Sequence, residues 1–215
     1  MFERALVIDD VLWDLCGPRV QNGAFDRREH ILEDLASAIV RERFPAAVIG
    51  ERVLARKIFG LPSGKFPAQT KPDLVIELHQ RLHVLEVKAS KTDDNRSQCE
   101  LTSPFREYLA ARGHTGRAPR EVEQDLIKLQ LFLEISPRVD TCAFLMVDAY
   151  RGKRLKWSTV FSDASLFAET MRTDFMKQAA ASLVAATKIT AVRTSRCEAD
   201  LIICNVASRL PASAI

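Results

Sequence analysis

Apolar positions along this chain change their spacing several times, and each change marks an element. Ile31, Leu32, Leu35, Ile39 and Val40 recur three and four residues apart, which predicts a helix from Asp26 to about Arg43. Asp26 can cap its start and Pro45 lies just beyond its end. Residues 46–59 (AAVIGERVLARKIF) read as a strand or a bent hairpin. Two short runs follow, DLVIEL at 73–78 and LHVLEVKA at 82–89, separated only by His79, Gln80 and Arg81. That spacing predicts an antiparallel hairpin. A second helix over about 119–135 has apolar residues nearly all round (Val122, Leu126, Ile127, Leu129, Leu131, Phe132, Leu133, Ile135). Such a helix must be covered on more than one side.

The run TCAFLMVDAY at 141–150 predicts a short buried strand. A third helix fits 164–186, with Ser162 or Asp163 as its cap, and strands fit 188–193 and 199–206. Residues 1–24 are ambiguous, and 90–118 form a long polar segment of the kind that is either a functional loop or disordered. No repeat is visible, and the order of elements predicts a mixed α/β fold.

With 215 residues, 47% of them hydrophobic, the chain can bury one good core, so a single domain over 1–215 is expected. The net charge of +3 permits a polyanionic partner without requiring one. Five cysteines form no CxxC pair, which argues against a disulfide framework or a zinc site. Cys142 and Cys204 lie in apolar runs and read as small buried hydrophobes. Of the four histidines, His79 and His83 stand four apart, but they flank the hairpin turn and read as surface or strand-end residues rather than metal ligands. Glu3, Asp9 and Asp10 stand where a signal peptide would be basic and then apolar, and no apolar run approaches the ~20 residues of a membrane helix. A reduced cytoplasmic protein with no membrane partner is the expectation, although export without a signal peptide would leave the same pattern.

The chemistry-bearing residues gather on the hairpin. Glu86 and Lys88 are two apart on one strand and share a face, while Val87 between them points to the other. Asp73, after Pro72, opens the partner strand across from them. Two carboxylates and an ammonium at one end of a hairpin suit Mg²⁺ (or Mn²⁺), which keeps several waters and accepts one or two carboxylates plus substrate phosphate. In this arrangement Asp73 and Glu86 bind the metal and the Val87 carbonyl adds a ligand. Lys88 orients or deprotonates the attacking water, or stabilises the phosphorus centre.

The string PDLVIELHQRLHVLEVKAS, on adjacent apolar strands between two helices, resembles the PD-(D/E)xK, or restriction-endonuclease-like, nuclease superfamily. The resemblance covers residues 26–150. It implies an αβββαβ core with a mixed central sheet flanked by helices, to which 151–215 would add a C-terminal α/β extension. It also implies a metal-dependent phosphodiesterase, with DNA the expected substrate and RNA the alternative, serving in restriction or defence, in repair, or as a toxin. A further Glu on the first helix often completes the metal shell in this family. Glu33 occupies that position here, with Glu29 one turn earlier as the alternative. The helix after the third strand commonly brings a polar or basic residue to the phosphate, a role that falls to Gln124 and Lys128.

Each of these residues also admits a plainer reading. Asp73 is compatible with a turn residue, and Glu86 and Lys88 with a solvated strand face carrying a cross-strand ion pair. Arg151, Lys153 and Arg154, beside Lys156 and Trp157, form the densest basic cluster and are candidate phosphate contacts. They equally suit a soluble turn. No separate target-reading module is evident, so specificity would need loops, a homodimer or a partner protein. A nuclease-like fold that binds nucleic acid or a protein without cutting is the alternative function.

Overall fold

The computed structural model describes residue 17 and residues 29–59, 70–89, 109–111, 119, 121–148, 155–193 and 198–206. Helix α1 (Glu29–Arg43) leads into strand β1 (Val48–Glu51), a short helix α2 (Ala55–Phe59) and the hairpin β2 (Leu74–Leu78) and β3 (Arg81–Ala89). Helix α3 (Glu121–Ile135) then precedes β4 (Val139–Asp148). Three helices follow, α4 (Trp157–Val160), α5 (Ala164–Thr170) and α6 (Asp174–Ala185), and the hairpin β5 (Thr187–Arg193) and β6 (Glu198–Asn205) completes the described chain. The six strands form one mixed sheet in the order β1-β2-β3-β4-β6-β5. Only β3 and β4, joined through α3, run parallel; every other neighbouring pair is antiparallel. The protein is thus an α/β protein with a six-stranded mixed sheet packed against helices.

Strand alternation divides the core between the two faces of that sheet. Leu74, Ile76, Leu85, Val87, Leu145 and Ile203 pack with Leu32, Ala36, Ile39 and Val40 of α1 on one face. Val75, Val84, Phe144, Met146 and Ile202 pack on the other face with α3 and with Phe161, Phe167, Met176 and Leu183 of the C-terminal helices. The apolar circumference of α3 is explained by this second layer. Val122, Leu126, Ile127, Leu129, Phe132 and Leu133 are all buried within the one chain, between the sheet, α2 and the helices after β4. Its coverage needs no second copy.

Three local expectations are corrected. Residues 46–59 are neither one strand nor a hairpin, because β1 pairs with β2 and the chain then turns into α2. Arg52 ends the strand with φ of 49°, and its N–H donates to the Asp73 carbonyl at 3.1 Å. Phe59 of α2 rests on Phe132, ring centroids 5.1 Å apart, so this apolar run is spent on the core rather than on strand pairing. The β2–β3 turn is made by His79 and Gln80 alone, both at positive φ (50° and 64°), as a two-residue hairpin loop with right-handed strand twist requires.

The helix expected over 164–186 is two helices. A buried carboxylate from α3 causes the break: Glu123 accepts hydrogen bonds from the backbone N–H of Arg172 and Thr173 and from Thr173 Oγ1, at 2.7–3.1 Å. The backbone is pulled out of helical geometry there, and Thr173 caps the new start by accepting from the Met176 N–H. The C-terminal extension also proves continuous with the main sheet, since β6 pairs directly with β4. Cys142 and Cys204 are buried, as their apolar surroundings suggest. Among the described residues no helix is long and apolar enough to cross a membrane.

Glu123 is fully buried and serves three donors, so its truncation strands them in the core. Glu123→Ala is expected to cost roughly 2–4 kcal/mol of unfolding free energy. A fall in the urea midpoint at unchanged slope would register that loss, and an unchanged midpoint would show that the anchor contributes nothing.

Candidate functional site

Register brings the chemistry together. Leu74 pairs with Leu85, so Asp73, one residue before the strand, comes level with Glu86. The Val87 backbone N–H donates to Asp73 Oδ2 at 2.8 Å, which pins the carboxylate against β3 at the residue between Glu86 and Lys88. The Val87 side chain belongs to the core on the α1 face, so Glu86 and Lys88 point the other way, toward α3. Glu86 is only 2% exposed, which rules out the solvated strand face admitted by its sequence.

Helix α3 supplies the partners. Lys128 Nζ donates to Glu86 Oε2 at 2.8 Å and lies 3.0 Å from Asp125 Oδ1. Lys88 Nζ donates to Glu121 Oε1 at 2.9 Å and lies 3.7 Å from Asp125 Oδ2. Glu121, Asp125 and Lys128 are spaced four and three apart, so one stripe of the helix carries all three. Asp125 thus stands between the two lysines, one oxygen toward each. Sequence reasoning passed over it and Glu121, since a helix apolar on nearly every side obscures a single polar stripe. The signal was the 121-125-128 spacing.

Among the described residues of the cluster, Asp73, Glu86, Glu121 and Asp125 supply four carboxylates, and Lys88 and Lys128 supply two ammonium groups. Burial raises the Asp73 carboxyl above its usual value, partly opposed by the Val87 hydrogen bond and the nearby Lys128. Glu86 is pushed well above the ordinary range, first by burial and then by repulsion from Asp73 and Asp125, against the pull of Lys128. Burial works to lower the Lys128 amine, but Glu86 and Asp125 outweigh it and drive the amine well above the lysine range. Burial is thus the first cause at the two carboxyls, and the neighbouring carboxylates are the cause at the amine.

Within this cluster Glu86 Oε1 is buried and has no hydrogen-bond partner. An orphaned hard oxygen beside a second carboxylate fits a small divalent cation such as Mg²⁺ or Mn²⁺. Among the described residues no three His, Cys, Asp or Glu side chains form a group able to hold a metal. Any ion here would rest on Asp73, Glu86 and backbone oxygen, and keep water in its remaining positions, as Mg²⁺ commonly does.

The other sequence-predicted residues are placed differently. Glu33 is near enough to contribute to the shift on Asp73, but both its oxygens accept from the Arg52 guanidinium, at 2.6 and 3.1 Å. With its own counter-ion in place, it stands behind Asp73 on the α1 side. The Glu29 side chain lies outside the described residues, as do Arg151, Lys153 and Arg154. Gln124 donates from Nε2 to the Pro119 carbonyl at 3.3 Å, a contact that ties down the approach to α3.

A pH-dependent stability change follows from the raised Asp73 carboxyl. A native carboxyl above its unfolded value of about 3.8 holds its proton more tightly than the unfolded chain does. Its favourable contribution is complete below about 3.8 and is lost as pH climbs through the native value. Asp73→Asn keeps an acceptor for Val87 and removes the buried charge. It is expected to gain roughly 1 kcal/mol, or about 2–4 °C in Tm, at pH 8 without divalent ions. The gain should vanish below pH 4; a variant less stable than wild type at pH 8 would contradict the charge assignment.

The chain matches no protein-family model, no curated protein and no solved structure, so the chemistry of the site is read from its own geometry.

Proposed function

We propose that this chain is a divalent-metal-dependent nuclease of the PD-(D/E)xK, restriction-endonuclease-like kind, hydrolysing phosphodiester bonds in DNA. The observation that carries the reading is the meeting of Asp73 with Glu86 at the Val87 amide, with Glu86 Oε1 buried and unpaired. The arrangement of elements supports it as well. A helix, three antiparallel strands with the short helix α2 inserted after the first, a helix and a strand parallel to the third are compatible with an αβββαβ core interrupted at α2. The β5–β6 hairpin then extends the sheet beyond β4.

In this reading Asp73 and Glu86 hold Mg²⁺ or Mn²⁺, with the Val87 carbonyl as a backbone ligand. The ion supplies charge neutralisation at the phosphate and a bound water of lowered pKa. Lys88 leans from β3 toward Glu121 and Asp125, and its ammonium would orient the attacking water or hold a non-bridging phosphate oxygen. Arg52 keeps Glu33 neutralised and, through its backbone N–H, steadies the Asp73 peptide. Substrate selection stays with DNA by analogy to the superfamily, with RNA as the second substrate to test.

One observation favours a second reading, a nuclease-like fold that binds nucleic acid or a protein partner without cutting. The Lys128 ammonium already neutralises Glu86 in part, and an acidic pair so sealed needs no metal.

Purified protein incubated with supercoiled plasmid and Mg²⁺ or Mn²⁺ separates the two. Nicked or linear product that EDTA abolishes is expected, with a loss of about 10³-fold for Asp73→Asn and about 10²-fold for Lys88→Ala. Plasmid and single-stranded RNA that both stay intact with either metal would exclude nuclease activity and leave the binding protein.

A further inference from the structure

Lys128 has two acceptors, and only one of them is a candidate metal ligand. Its ammonium lies 2.8 Å from Glu86 Oε2 and 3.0 Å from Asp125 Oδ1. The second contact is between residues three apart on the same helix, so it does not depend on the sheet. Glu86, by contrast, is held at its carboxylate by this one amine, with Oε1 unpaired. A divalent ion on Glu86 would share that carboxylate with the Lys128 ammonium, and two cations on one carboxylate repel strongly in a poorly solvated site.

We infer that Lys128 is an exchangeable cation built into the site: it neutralises Glu86 until a divalent ion arrives, then withdraws onto Asp125. This rests on the metal-dependent reading above and adds to it a competition that the free protein imposes on its own metal. Asp125 is the positioning residue of the exchange, since it keeps the displaced ammonium beside the site. An anionic oxygen, such as that of a phosphodiester, would there become its next partner. No bond is made or broken in the exchange. It is a replacement of one counter-ion by another, with Lys128 protonated throughout. Metal and polyanion should therefore bind cooperatively, because each removes the ammonium from a position that opposes the other.

Calorimetric titration of Mn²⁺ into the nucleic-acid-free protein tests this at mildly alkaline pH. Lys128→Gln, which keeps a hydrogen-bond donor and loses the charge, is expected to bind Mn²⁺ at least about tenfold more tightly than wild type. Lys128→Arg, which keeps the charge, should bind like wild type. A second measurement needs no variant: the ¹⁵N signal of the Lys128 ammonium in wild-type protein should shift as Mg²⁺ is added. Equal or weaker Mn²⁺ binding by Lys128→Gln, or a Lys128 signal that ignores Mg²⁺ at saturation, overturns the exchange. If Glu86→Gln abolishes Mn²⁺ uptake in the same series, the metal site stands and only the exchange fails. If no protein in the series takes up Mn²⁺, the metal-dependent reading falls with it.

Discussion

A carboxylate buried in the middle of the sheet, Glu86, is the constraint around which the candidate site is arranged. An ionised carboxylate out of water costs several kcal/mol unless paired, and here the pairing comes from across the sheet–helix interface. Lys128 answers Glu86, Asp125 answers Lys128, and Lys88 joins the same acidic residue from β3. The network locks α3 over β3 at a defined rotation. The same α3 sends Glu123 in a different direction to fix the break between α5 and α6. One helix therefore ties the site to the C-terminal half of the fold.

That network is also incomplete, and its incompleteness points to chemistry. A purely structural ion cluster would be expected to close its charge balance and to satisfy every buried oxygen. This one leaves Glu86 Oε1 without a donor and, among the described residues, sets four carboxylates against two ammonium groups. By comparison, the second pair of opposed carboxylates, Asp148 on β4 and Asp200 on β6, is well provided for. Asp148 accepts from the backbone N–H groups of Trp157 and Ser158, and Asp200 accepts from Ser158 Oγ with Lys156 nearby. Of the two acidic pairs, the one at Glu86 has a buried carboxylate oxygen with no donor, whereas Asp148 and Asp200 are both supplied with donors.

The hairpin and the helices around it were readable in the residues because their periodicities are strong and local. Alternation in DLVIEL and LHVLEVKA, with a short polar break, is sufficient to pair β2 with β3, and the i, i+2 relation puts Glu86 and Lys88 on one face. Misjudged stretches were those where a distant residue overrides a local pattern. Residues 164–186 carry a helical pattern throughout, yet Glu123, about fifty positions earlier, captures the amides of Arg172 and Thr173 and splits the helix. Residues 46–59 look strand-like, but Phe59 is drawn to Phe132 in α3 and the run bends into a helix.

The linear order of residues determined an α/β fold and the triad of Asp73, Glu86 and Lys88 at one end of a hairpin, because strand geometry acts over a few positions. Tertiary structure alone decided what surrounds them. The parallel crossover from β3 to β4 carries α3 across the sheet, and only then do Glu121, Asp125 and Lys128 meet residues some forty positions earlier. The packing of α1 beside the end of β1 likewise pairs Glu33 with Arg52. Charge balance and burial depend on which groups share a low-dielectric space, and that is fixed by long-range packing rather than by neighbours in the chain.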